Sequence, residues 1–185
     1  MIMHQLDARI RKLKSDIHGL IVRDKVDIPY IEKAPRDSKE FVPFKNGDFW
    51  ALTEGENWED FRFTCVVPEG FYGQVRLCED TGLDGWEATL SQIVVWVNGR
   101  IEQAFDTRHL NIILQEKAVP GEKFEIFLQA YHKTQKTNAG LLQPRMHLYL
   151  ADFMDDVEQL YYDFDVPHSA CLLESVGERE REITL

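Results

Sequence analysis

The sequence lacks the features that mark membrane-bound, exported and nucleic-acid-binding proteins. No apolar run approaches the roughly 20 residues that cross a bilayer. The start, Met1–Asp7, has neither the continuous apolar segment nor the small-residue cleavage site of a signal peptide. The 21 Lys and Arg residues are outnumbered by 32 Asp and Glu, and a net charge of −11 repels phosphates. We therefore expect a cytoplasmic protein that binds neither a membrane nor nucleic acid.

Cysteine is scarce and the common catalytic motifs are absent. Cys65, Cys78 and Cys171 are far apart in the sequence, which favours buried thiols over a disulfide or a metal site. There is no Gly-rich phosphate loop, no Gly-x-Ser-x-Gly, no Cys-x-x-Cys and no His-Glu-x-x-His, and the six histidines lack ligand spacing. We therefore predict no catalytic residue and no cofactor for this chain.

Helical periodicity is confined to the two ends. Near the start, apolar residues recur in alternating steps of three and four: Met3, Leu6, Ile10, Leu13, Ile17 and Leu20. This pattern predicts an amphipathic helix, which either packs along its own protein or forms a dimer seam. Near the end, Val157, Leu160 and Phe164 share a helical face, and Pro167 is suited to begin a second helix.

Between the ends the apolar period is two, which indicates strands. Val26, Ile28 and Tyr30 predict a short edge strand, because Pro29 cannot donate to a central ladder. Residues 32–48 are predicted to be a connecting loop. From residue 49 to 151 short strands alternate with turn signals and no helix intervenes, which predicts an antiparallel β-sandwich. We expect a mainly β fold in three segments: 1–48 with the helix and edge strand, 49–151 as the sandwich, and 152–185 as C-terminal helices.

The centre of the predicted sandwich is the segment Ile93–Val97, which is apolar on both faces. Such a strand is expected to be covered on both sides, with Trp96 in the core. Asn98-Gly99 predicts a tight hairpin that returns through Arg100. The residues expected to be largely buried are Val95, Val97, Ile113, Phe124, Ile126, Leu128 and Leu148.

The candidate functional residues lie in loops. Asp106, Arg108 and His109 follow the hairpin strand; they form either an interaction site at the end of the sandwich or a locally satisfied turn in which Asp106 accepts from backbone amides. Trp86 is either a stacking platform for sugar or a cap on the sandwich.

The acidic loop of residues 79–87, with Glu79, Asp80, Asp84 and Glu87, either holds a structural Ca²⁺ or is explained by turn geometry alone.

Several segments resemble a known family. Val95-Trp96-Val97-Asn98-Gly99-Arg100 resembles the hairpin of jelly-roll modules that precede glycosidase domains. The run from Asp106 to Leu114, the run from Ala118 to Ile126 and the pair Ala130-Tyr131 are similar to the N-terminal, galactose-binding-like domain of family 38 α-mannosidases. Trp58 through Pro68 and Leu160-Tyr161-Tyr162-Asp163 add to a resemblance that covers roughly residues 50–175.

The resemblance implies a non-catalytic accessory domain. The family's enzymes are zinc-dependent retaining α-mannosidases whose metal ligands and Asp nucleophile belong to a catalytic domain, and no segment here matches those motifs. We therefore expect this chain to be a fragment that packs on a missing catalytic domain, shapes its cleft and supports a homo-oligomer contact. Zn²⁺ and a mannose-containing glycan are expected only in the full-length enzyme. The alternative is an independent carbohydrate-binding module with Trp86 as its platform.

Overall fold

The computed structural model describes residues 2–83 and 90–183, and side chains over residues 6–83 and 90–171. The chain divides into two compact units. The helical unit contains Met1–Arg23 and Phe153–Leu185, and the sandwich unit contains Asp24–Asp152. The expected domain at 49–151 lies inside the sandwich unit, together with residues 24–48 that were expected outside it.

The described residues of the chain form two long helices and a set of strands. The helices are α1 (Ile2–Ile21) and α2 (Asp155–Ile183). The strands are β1 (Val22–Asp27), β2 (Ile31–Pro35), β3 (Val42–Phe44), β4 (Gly55–Val66), β5 (Gln74–Asp80), β6 (Ser91–Val97), β7 (Arg100–Phe105), β8 (Asn111–Gln115), β9 (Lys123–Thr137), β10 (Gly140–Leu142) and β11 (His147–Phe153).

The strands form two sheets, so the predicted β-sandwich with terminal helices is confirmed. The seven-stranded sheet has the order β3-β2-β4-β9-β6-β7, with β10 paired to β9. The four-stranded sheet has the order β1-β11-β5-β8. Strands β6 and β7 form the predicted hairpin, because Asn98 and Gly99 both adopt positive φ, 49° and 79°.

The apolar core lies between the sheets. Phe61, Ile93 and Leu128 from the larger sheet meet Leu77 and Leu148 from the smaller one, and each of these side chains is buried. Of the residues predicted to be buried, all but Ile113 are buried.

Ile113 was placed wrongly in the core, since its side chain is 48% exposed. It lies on β8, an edge strand of the four-stranded sheet, where Ile112 faces the core instead. Successive side chains of a strand point to opposite faces, so only one of the two isoleucines can be buried.

The prediction that Trp96 lies in the core is also wrong, and so is the prediction that β6 is covered on both sides. Val95 and Val97 face the core, whereas Val94 and Trp96 are only partly buried on the outer face of the sheet, the face directed away from the core. An antiparallel sheet of a sandwich packs on one face and leaves the other toward solvent. The apolar side chains of β6 therefore make part of that outer face apolar.

The expected loop at 32–48 contains two strands. β2 pairs with β4 through Glu32 and Arg62, and β3 pairs with β2 through Val42 and Lys33. The charged residues and the prolines in this stretch suggested a loop. They are tolerated here because β3 is an edge strand and Pro35 ends β2.

In the helical unit, α1 and α2 meet through polar and aromatic contacts. Lys14 pairs with Asp165, His168 Nε2 lies 2.8 Å from Asp7 Oδ1, and the rings of His18 and Tyr161 stand edge to face at 5.3 Å. The predicted break at Pro167 is wrong, because α2 continues through it. Proline costs a helix one donor but its fixed φ is helical, so a long helix can retain it. In the part of the chain that the structure describes, neither helix is long and apolar enough to span a bilayer.

Candidate functional site

The connection between β7 and β8 crosses from one sheet to the other and carries Asp106, Arg108 and His109. Asp106 Oδ1 accepts the backbone N–H groups of Arg108 at 2.8 Å and His109 at 2.9 Å. The backbone N–H of Asp106 donates to the carbonyl of His109 at 3.2 Å. The carboxylate therefore holds the turn closed, as the alternative interpretation of this segment expected.

His109 is also engaged inside the turn. Its Nδ1 lies 3.0 Å from both carboxylate oxygens of Asp106, and both side chains are exposed. The backbone N–H of Arg108, the His109 ring and the backbone N–H of His109 together lower the pKa of the Asp106 carboxyl to about 2. Such an exposed pair adds little stability, because water and salt screen it.

Arg108 is the member of the segment whose side chain is left available. It is exposed, and within the described part of the chain its guanidinium has no hydrogen-bond or ion-pair partner. A guanidinium presents five donors in a rigid fork that suits carboxylates. In a chain of net charge −11, the turn thus presents a cation to an incoming group.

A shallow groove of about 340 Å³ lies beside this turn, between β7 and β8. Its lining includes Arg76, Glu102, His109 and Asn111. Arg76 Nη1 lies 3.4 Å from Asn111 Oδ1, so this arginine is held by its neighbours. The groove offers donors and acceptors for hydrogen bonds.

Two ionisable side chains whose pKa values are shifted by burial, Glu79 and His132, are enclosed in the fold. Glu79 on β5 is 4% exposed, and burial raises its pKa to about 8. His132 is fully buried, and burial lowers its pKa. Its Nε2 donates to the carbonyl of Leu142 at 3.2 Å, and its Nδ1 accepts from the Ser91 hydroxyl at 2.8 Å. Both ring nitrogens are therefore used in the fold, and neither Glu79 nor His132 can contact a substrate.

Zinc is expected only in a catalytic domain outside this chain, and that expectation stays a prediction. Among the described residues, no three His, Cys, Asp or Glu side chains come together to hold a metal ion. In the acidic loop, Asp80 Oδ1 accepts from the backbone N–H of Gly82 at 2.8 Å, which is turn geometry. Asp84, Trp86 and Glu87 lie outside the described residues, so the sugar-platform and calcium predictions stay predictions.

The sequence interpretation missed the outer face of the seven-stranded sheet. Trp58 on β4 is 43% exposed, and its ring lies 4.5 Å from that of Tyr131 on β9. The Arg36 guanidinium stacks on Trp58 at 4.2 Å. The sequence does contain the alternation that places these residues together, because even-numbered residues of β4 and odd-numbered residues of β9 share this face. It could not be recognised without the register that pairs the two strands.

Comparison with known proteins finds no matching family model and no matching curated protein. Solved structures do match over 71% of this chain. They include a β-glucuronidase from Ruminococcus gnavus (10% identity, TM-score 0.47, 30% of that chain). A family 2 β-galacturonidase from Eisenbergiella tayi (9%, 0.43, 25%) and a β-D-glucuronidase from Dictyoglomus thermophilum (10%, 0.41, 28%) are similar as well.

The chain spans less than a third of the length of each of these proteins. They are glycoside hydrolases, but they are named for uronides and not for α-mannosides. Identities near 10% with TM-scores below 0.5 do not define a family for this chain. The class that the structure defines is an antiparallel β-sandwich with helical ends.

Proposed function

We propose that this chain is a non-catalytic accessory domain of a carbohydrate-active enzyme, and that it packs on a catalytic domain through the β7–β8 turn. The observation that carries the proposal is the state of Arg108. Asp106 and His109 hold the turn in one shape, and the exposed Arg108 guanidinium has no partner among the described residues. A rigid turn that presents a free cation at a sandwich end is suited to contact an acidic group of another domain.

The finer proposal is that the parent enzyme is a zinc-dependent retaining α-mannosidase. It rests on the resemblance of roughly residues 50–175 to the N-terminal domain of family 38. The described residues do not fit a zinc site, so the metal and the glycan belong to the catalytic domain in this proposal. The chain's own part is to contact that domain and to shape an edge of its cleft.

The test compares Arg108→Ala with Arg100→Ala in the full-length polypeptide. Arg100 is an exposed arginine at the opposite end of β7 and serves as the matched control. We expect Arg108→Ala to lower hydrolysis of an aryl α-mannoside or to loosen domain assembly, seen as faster proteolysis between domains, while Arg100→Ala changes neither. Equal hydrolysis and equal proteolysis in the two variants would show that Arg108 does not contact the catalytic domain.

The parent identity is tested separately with the unmodified full-length polypeptide. Hydrolysis of an aryl α-mannoside that is lost on chelation and restored by Zn²⁺ supports the α-mannosidase. Hydrolysis of other aryl glycosides alone would replace it with another glycosidase and leave the accessory role in place.

A homo-oligomer contact is part of the proposal and is placed on α1. Leu6, Leu13 and Leu20, seven residues apart, are 55%, 43% and 65% exposed. A leucine every seven residues is the spacing of a coiled-coil seam. Sedimentation should show that Leu13→Lys shifts an oligomer toward monomer, whereas Leu141→Lys, an exposed leucine on β10, leaves it unchanged. An isolated chain that is monomeric at all concentrations would contradict this contact.

The proposed cytoplasmic location agrees with the state of the cysteines. The prediction that all three thiols are buried is wrong for Cys171, which is an exposed free thiol. Cys65 and Cys78 are buried free thiols, and burial raises the pKa of each to about 12. Neither is therefore disposed to react.

A further inference from the structure

The outer face of the seven-stranded sheet carries a row of four neighbouring side chains on four strands, and three of them are apolar. Arg62 on β4, Phe127 on β9, Trp96 on β6 and Ile101 on β7 are neighbours by strand register. Phe127 and Trp96 are partly buried, and Ile101 is exposed. The solvent face of an antiparallel sheet is ordinarily polar. Apolar side chains on this face therefore indicate a surface that binds another molecule.

A groove of about 470 Å³ lies at one end of this row, where Arg62 and Phe127 are part of its lining. Thr64, Glu125 and Phe127 line it from β4 and β9, and Tyr30 and Glu32 line it from the β2 side. Small-molecule sites have volumes of about 300–1,000 Å³. The groove therefore has the volume of a small-ligand site.

The polar side chains of the groove are held in place before any ligand binds. The Tyr30 hydroxyl donates to Glu32 Oε1 at 3.1 Å, and Arg62 Nε donates to Glu32 Oε2 at 2.7 Å. The Arg62 guanidinium also lies 4.1 Å from the centre of the Phe41 ring. Arg62 is thus fixed by two partners, which lowers the entropic cost of using its remaining donors for a ligand.

The charges of the groove disfavour an acidic ligand. Arg62 is neutralised by Glu32, and Glu125 adds a carboxylate without a described ion-pair partner. An acidic ligand would meet this carboxylate with no free cation in the described lining. A neutral ligand rich in hydroxyl groups suits the mixture of carboxylate, guanidinium and hydroxyl groups around an aromatic ring.

We infer that this groove binds a short neutral oligosaccharide. The Phe127 ring contacts the apolar face of a sugar ring, and Arg62, Thr64 and Glu125 hydrogen-bond its hydroxyl groups. The site lies on a sheet face and involves neither Trp86 nor the Asp106–His109 turn. It goes beyond the proposed function and does not depend on it, because binding by this chain requires no catalytic domain.

The test titrates the ¹⁵N-labelled chain with three neutral trisaccharides (mannotriose, cellotriose and maltotriose) and with trigalacturonic acid as the charged counterpart. We expect at least one neutral trisaccharide to shift the amide signals of Thr64, Gly99 and Phe127 in a saturable way. Trigalacturonic acid should bind at least about tenfold more weakly, because Glu125 repels it.

Two variants and one control locate the site. Phe127→Ala removes the ring, and Thr64→Tyr fills the groove from an exposed strand position that tolerates a large side chain. Each should weaken binding about tenfold, the loss expected for one aromatic contact. Tyr131→Ala removes an aromatic from the same face of the same strand, outside the groove, and should change the affinity less than twofold.

Four results of the titrations would overturn the inference, and a fifth comes from the chain without sugar. The four are no saturable shift with any of the neutral trisaccharides, equal binding of trigalacturonic acid, unchanged affinity in both groove variants, and a larger loss in Tyr131→Ala than in Phe127→Ala. Shifts at the groove that grow with protein concentration in the absence of sugar would overturn it in favour of a second copy of the chain.

Discussion

Replacement of Glu79 by glutamine should stabilise the sandwich, and by more as the pH rises. Glu79 lies on β5 and is 4% exposed. Among the described residues, its Oε1 has no hydrogen-bond partner. Burial, with a smaller contribution from the charge of Asp80, raises its pKa from 4.5 to about 8. The carboxyl group is therefore neutral in the folded protein at pH 7 and ionised in the unfolded chain.

The sign of the effect follows from proton binding. Between pH 4.5 and 8 the folded state holds a proton on Glu79 that the unfolded chain releases, so the free energy of unfolding falls as the pH rises through this window. At about 1.4 kcal/mol per pKa unit, the loss is roughly 3 kcal/mol by pH 7 and about 5 kcal/mol above pH 8. Glu79→Gln keeps the shape and removes the titration. The variant should match the wild type near pH 4.5 and exceed it by about these amounts at higher pH.

The assay is urea denaturation of the isolated chain at pH 4.5, 7 and 8.5. Glu102→Gln, which removes the same charge from an exposed position on β7, is the control and should stay within about 0.5 kcal/mol of the wild type. The buried His132 titrates in both proteins, so its contribution cancels in the difference between them. A Glu79→Gln difference that is below about 1 kcal/mol at pH 8.5, or that does not change with pH, would refute the reasoning.

Four other variants test the surroundings of His132 and the turn at Asp106, three by the same urea denaturation and the Arg108–His109 double variant by thermal melting. Ser91→Ala leaves the buried Nδ1 of His132 without its donor and should lower the free energy of unfolding by about 1–3 kcal/mol. A decrease under about 0.5 kcal/mol would contradict this prediction. Asp106→Ala removes the acceptor of two backbone N–H groups and should lower the free energy of unfolding by about 1 kcal/mol. Asp106→Asn keeps an acceptor oxygen and should retain most of this stability. Equal losses in the two variants would show that the acceptor is unimportant. Arg108→Ala combined with His109→Ala should leave the melting temperature nearly unchanged, since both side chains are exposed; a drop of several degrees would make the segment a structural corner.

The strand pattern was predictable because it depends on local rules. Alternation identified β4 and β9, a continuous apolar run identified β6, and Asn98-Gly99 identified the hairpin, since both residues adopt the positive φ that a tight turn requires. Core residues such as Val95 and Leu128 followed from the same alternation. The edge position of β8 did not follow from alternation, because strand order depends on long-range pairing. For that reason the prediction that Ile113 is buried is wrong.

The candidate sites were predictable only in part. The turn at Asp106 was found from its cluster of ionisable residues, but the sequence could not show that Asp106 and His109 satisfy each other. The outer-face groove combines β2, β4 and β9, so no single stretch of sequence contains its signal. The nearest signal in the sequence is the doubly apolar strand β6, because its Trp96 is the register neighbour of Phe127.

The proposal that this chain is an accessory domain and has no activity by itself is tested most directly by turnover. The purified chain and the full-length polypeptide are assayed in parallel on an aryl α-mannoside, with and without added Zn²⁺. The account predicts hydrolysis by the full-length polypeptide and none by the chain alone. Turnover that follows the purified chain and is abolished by a single Asp or Glu substitution within it would contradict the account.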